Sequence, residues 1–182
     1  MTPMLGIIAS QMTGHLNTSS YESIQTVTVG SGGQSSISFS SIPSTYKHLQ
    51  IRAVETYSGT GFNPKVNFNS DTGANYSWHY LLGNGTAASA SGASSQTFMY
   101  LNSNVASPIM TPHIIDILDY ANGNKNKTMR VLDGFDTNGS GSGGYVVQWS
   151  GAWYNTSAIT TVTISGGTFG QYSSFALYGI KG

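Results

Sequence analysis

The chain has 182 residues, enough for one domain with a substantial core, and only 8 % of them are charged, with a formal net charge of zero. That balance supplies no basic footprint for nucleic acid and no cationic face for an anionic membrane, and no apolar run approaches the roughly 18 residues of a membrane span. The chain has no cysteine, so disulfides and thiolate metal sites are excluded and stability must come from packing or assembly.

Residues 1–20, MTPMLGIIASQMTGHLNTSS, differ from the rest. The segment is apolar first and polar later, and no basic residue precedes the apolar piece at 4–9, which argues against a signal peptide. Met4, Leu5, Ile7 and Ile8 form a block that a free terminus would not leave in water. Two placements are open: a docking arm on another chain, or a first strand in the protein's own core.

Residues 21–29 alternate among β-formers, 30–33 are a glycine-rich turn, and 36–40 return with Ile37 and Phe39 on one face, so a hairpin is predicted. Residues 41–57, SIPSTYKHLQIRAVETY, carry the longest strand signal. After a Pro turn, Leu49, Ile51, Ala53 and Glu55 point one way, while His48, Gln50, Arg52 and Val54 point the other. This pattern predicts a strand central to its sheet. Residues 65–69 read as a short strand with Val66 and Phe68 inward. Residues 76–82 read as a strand or a single helical turn, and 84–95 as an exposed Gly/Ala/Ser/Thr loop. A strand is expected over 96–101.

The segment HIIDILDY at 113–120 fits either period, but its β-branched content and short length favour a strand. Strands follow at 128–135 and 145–154, with a Gly/Ser loop at 136–144 between them. The Ser150-Gly151 pair inside the second suggests a bulge. Alternation over 158–165 and 173–181 closes the chain. About ten strands at this spacing, without a convincing helix, predict an all-β fold, an antiparallel β-sandwich of jelly-roll type. The predicted organisation is an extended N-terminal arm, 1–20, and a single sandwich domain, 21–182.

Candidate chemistry is sparse. Asp116 with Asp119 and Asp133 with Asp136 are paired carboxylates of the kind used in glycoside hydrolysis or Ca²⁺ binding, yet no spacing fixes an acid and a base. Strand-end and turn aspartates beside Lys125, Lys127 and Arg130 are the plainer reading. Asn69, Asp71, Gly73 and Asn75 resemble half a calcium loop that lacks its terminal Glu. His15, His48, His79 and His113 are scattered without metal-ligand spacing. No catalytic residue, metal or cofactor is expected. The best material for a binding surface is Tyr76, Trp78, Tyr80, Trp149, Trp153 and Tyr154, which would stack on sugar rings, build a protein interface, or fill the protein's own core.

Four strings, MLGIIASQMTGHL, SIPSTYKHLQIR, HIIDILDYAN and SSFALYGIKG, together resemble a family of small tailed-bacteriophage virion proteins of marine and cyanobacterial phages. The likeness runs over nearly the whole chain and brings no catalytic residues with it. It implies a non-enzymatic structural or adhesive component of the virion, made in the host cytoplasm. That component would be a capsid decoration (cement) protein or a short tail-fibre or appendage module. Its partners would be other virion proteins and further copies of itself, as a trimer. The alternative is a receptor-binding module that recognises host-surface carbohydrate through the aromatic residues.

Overall fold

In the computed structural model the described residues are 20–58, 64–101, 109–138 and 143–182. The strands are β1 (Tyr21–Thr28), β2 (Gln34–Phe39), β3 (His48–Glu55), β4 (Lys65–Phe68), β5 (Tyr76–Gly83), β6 (Ala88–Gln96), β7 (Met99–Tyr100), β8 (Thr111–Leu118), β9 (Lys127–Asp136), β10 (Gly144–Trp153), β11 (Val162–Phe169) and β12 (Ser174–Ile180). Twelve strands thus replace the expected ten, and the described residues contain no helix. They form two antiparallel sheets, ordered β1-β12-β3-β8-β9-β10-β5-β6 and β2-β11-β4-β7.

The two orders resolve once the hairpins β5–β6 and β9–β10 are set aside. Count the remaining eight strands along the chain: the large sheet takes them as 1-8-3-6 and the small sheet as 2-7-4-5. That is the double Greek key of a jelly roll. The two hairpins are insertions between framework strands, and both add to the same side, carrying the large sheet four strands beyond β8. β3 lies inside the large sheet, between β12 and β8, as its long alternation predicts.

The core lies between the sheets. Ile37, Phe39, Val66, Phe68 and Ile164 of the small sheet meet Leu49, Ile51, Ile115, Ile117, Phe175 and Leu177 of the large one, all fully buried. Each belongs to the inward phase of its strand, so a period of two places them together.

Three local expectations are corrected. Residues 88–96 are a strand, not a loop. Their sequence ASASGASSQ carries no hydrophobic stripe because β6 is an edge strand, and β5 supplies its ladder. The Ser150-Gly151 pair makes no bulge, since the ladders from β10 to β5 and β9 run through it unbroken. Gly151 is needed for clearance instead: a Cβ there would stand 2.4 Å from the Met99 sulfur. β11 begins at Val162, and the preceding stretch is pinned by Asn69. Its Oδ1 accepts from the amides of Thr160 (2.8 Å) and Thr161 (3.1 Å), and its Nδ2 donates to the Ala158 carbonyl (2.8 Å). The arm residues Met4, Leu5, Ile7 and Ile8 lie outside the described residues.

Candidate functional site

The aromatic surface is largely a core. Tyr76 and Trp153 point between the sheets and are 0 % and 1 % exposed. Trp153 donates its Nε1 proton to Asp71 (2.7 Å), and the Tyr76 hydroxyl accepts from the Phe68 amide (3.1 Å). Trp149 is buried against Tyr80 and Trp78, with ring centroids 4.9 and 5.7 Å away. The reason is register. β10 and β5 pair Trp149 with Tyr80 and Trp153 with Tyr76, and all four lie on the inward phase. Of the three roles open to them, Tyr76, Trp149 and Trp153 therefore take the last and fill the protein's own core, so they are not available to a ligand. Trp78 is half-buried, and Tyr154 remains open to solvent.

The aspartates separate in the same way. Asp71 fastens its own turn, accepting from the Gly73 amide (2.8 Å), Asn75 Nδ2 (3.0 Å) and Trp153; these bonds hold its carboxyl below the usual range. Asp119 takes Lys125 at 2.9 Å and Lys47 at 3.3 Å, and these partners hold its carboxyl low as well. Asp116 accepts from Gln50 at 2.8 Å. Asp133 faces the core, whereas Asp136 faces solvent, so this pair shares no cleft. Among the described residues no group of three or more His, Asp or Glu could hold a metal ion.

Asp133 instead belongs to a cluster that sequence reading missed. Glu55, His113 and Asp133 sit side by side on the inner face of β3, β8 and β9, with side chains sealed from solvent. His113 Nε2 stands 2.7 Å from Glu55 Oε1, and Nδ1 stands 3.5 Å from Asp133 Oδ2. The Tyr57 hydroxyl donates to the same Glu55 oxygen at 2.5 Å. Burial pulls the imidazolium down, but Glu55 and Asp133 outweigh it and its pKa is pushed up to about 9. The cluster is thus a cation held between two carboxylates inside the core, with no opening to a substrate. The signal was present in the phase: His113 alternates with Ile115 and Ile117, and Asp133 with Val131 and Met129.

Lys127, also inward, solves the same problem differently. Its ammonium donates to the carbonyls of Asn122 (2.5 Å), Lys125 (2.7 Å) and Thr156 (2.9 Å), and burial lowers its pKa.

What remains exposed is the outer face of the large sheet. Val54, Leu81, Ile114, Leu132 and Val146 are 44, 57, 43, 52 and 62 % exposed. The ladders bring them together. Arg52 pairs with Ile114, Ile114 with Leu132, Leu132 with Gln148, and Gln148 with Leu81; Val146 lies one row along, beside Gly134. The result is an apolar stripe across five strands, interrupted by Arg52 on β3 and by Gln148 between Leu132 and Leu81. A groove of about 700 Å³ opens in it, with Met110, Pro112, Ile114, Leu132 and Val146 among its walls and Gly134 in its lining. Glycine is required at 134, because a Cβ would stand 2.5 Å from the Tyr145 carbonyl oxygen. An exposed apolar stripe among polar residues is a mark of an interaction surface. No family model, curated protein or solved structure matches this chain.

Proposed function

We propose that the protein is a non-enzymatic structural component of a bacteriophage virion, a decoration (cement) protein or short appendage module, with residues 1–20 as its anchor to a neighbour. The observation that carries an assembly role is the apolar stripe on the outer face of the large sheet, left open while the polar cluster of Glu55, His113 and Asp133 is sealed inside. The sequence resemblance supplies the virion. A near-zero net charge suits a protein whose working state is packed against others. The test is incorporation. A chain lacking residues 1–20 should stay folded, as read by circular dichroism, and be lost from purified particles. Full occupancy by the truncated chain would remove the anchoring role.

A second reading, carbohydrate recognition, is favoured by one observation: Trp78 is half-buried and packs with two other half-buried rings, Tyr80 at 6.3 Å and Tyr100 at 5.4 Å between centroids. Partly open aromatic faces of this kind can stack on a sugar ring. Glycan-array binding that Trp78→Phe abolishes would support this reading, and a blank array would count against it.

A further inference from the structure

The outward residues of β9 are Arg130, Leu132, Gly134 and Asp136, in strict alternation. Among the described residues neither Arg130 nor Asp136 makes an ion pair. Arg130 stands opposite Asp116 in the ladder without joining it, and among the described residues Asp136 accepts from the Asn138 amide alone, at 2.6 Å. The two unpaired charges have opposite sign and lie equally far from the midpoint between Leu132 and Gly134. This spacing is self-complementary. A second β9 laid antiparallel over the first, centred on that midpoint, brings each Arg130 opposite an Asp136 and each Leu132 opposite a Gly134.

We propose that a second copy of this chain packs face to face on the outer side of the large sheet, about a twofold axis at the midpoint between Leu132 and Gly134. Leu132 of each chain enters the groove where Gly134 of the partner subunit leaves room. Stacked sheets lie about 10 Å apart, the depth that interdigitating Leu, Ile and Val side chains fill. Arg130 and Asp136 pair twice by symmetry, as an isologous contact demands. Being at the rim, these pairs set register more than affinity.

The contact spans about 20 Å from β3 to β5 and about 20 Å along β9, by ordinary strand spacing and rise. That is about 400 Å² on each chain, below the ordinary range of specific interfaces, so the isolated chain should dimerise weakly, with repetition on a larger assembly adding avidity. The inference rests on reading the outer face as an assembly surface and does not depend on the virion assignment. It departs from the trimer that the resemblance implies.

Sedimentation equilibrium of the full chain at low ionic strength tests it, with Arg130→Asp, Asp136→Arg and the double variant beside the wild type. Asp136→Arg should melt like the wild type, since its position is exposed, while the two chains that carry Arg130→Asp should melt slightly and equally lower, because the new carboxylate faces Asp116 across the ladder. The wild type should reach twice the mass of one chain as concentration rises. Each single change places like charges together at two symmetric points and should weaken association by at least about tenfold. The double variant restores opposite charges and should return to within about threefold of the wild type. A wild type that stays at one chain, or settles at three, overturns the proposal. So does a double variant that associates no better than the single ones. Any of these results leaves the incorporation test of residues 1–20 untouched, so failure of the dimer and failure of the virion reading remain distinguishable.

Discussion

The two faces of β8 and β9 are built from alternate residues of the same short strands, yet they treat polar groups in opposite ways. On the inner face His113 is flanked by Glu55 and Asp133, and Lys127 is held by three carbonyls. On the outer face Ile114 and Leu132 are half open, and Arg130 and Asp136 have no ion-pair partner among the described residues. A buried charge without partners costs several kcal/mol, so the inner set must be completed within the chain. An exposed charge is hydrated at no such cost, and an exposed leucine costs little, so the outer set is free to serve a partner. The inner face therefore fixes the fold, and the outer face is available for assembly.

The comparison predicts graded effects. The largest is His113→Leu, which leaves Glu55 and Asp133 together without their cation; loss of about 3–5 kcal/mol of unfolding free energy in urea is expected. Restored stability when the pH is lowered far enough to protonate the carboxylates would identify the cause. Next is pH itself. His113 titrates near 9 in the folded chain against an ordinary value of 6.5. Its stabilisation is therefore fully present below about pH 6.5 and is lost as pH rises through about 9, on the order of 3 kcal/mol in all. A melting temperature that falls between pH 7 and 10 in the wild type, but much less in His113→Leu, is the expected result. Lys127→Met strands three carbonyls and should cost about 2 kcal/mol, read in the same denaturant titration. The smallest effect on stability belongs to Leu132→Asp, within about 0.5 kcal/mol because the site is exposed. Its effect on association should be the greatest of the set.

Much of the inner face was legible in the sequence. Leu49, Ile51, Ala53 and Glu55 share a phase, and the structure buries all four. The inward placement of His113 and Asp133 was written in the same alternation, although their meeting depends on the ladder that sets His113 beside Asp133. Period two shows that Tyr76, Trp78 and Tyr80 share a face. It does not show whether that face meets a second sheet, and so the period alone leaves core, interface and ligand roles open for the aromatic residues. β6 was illegible because an edge strand of Ala, Ser and Gly carries no apolar phase. The outer stripe was illegible for a further reason. Val54, Leu81, Ile114, Leu132 and Val146 come from five strands, and only the strand order joins them.

The central claim is that the outer face joins chains while the inner face holds one chain together. Light scattering of the full chain over a concentration series, beside Leu132→Asp, measures it most directly. The account predicts a wild-type mass rising from 19.2 kDa toward twice that value. The variant should stay at one chain with an unchanged melting temperature. Equal masses for the two proteins at every concentration would contradict it.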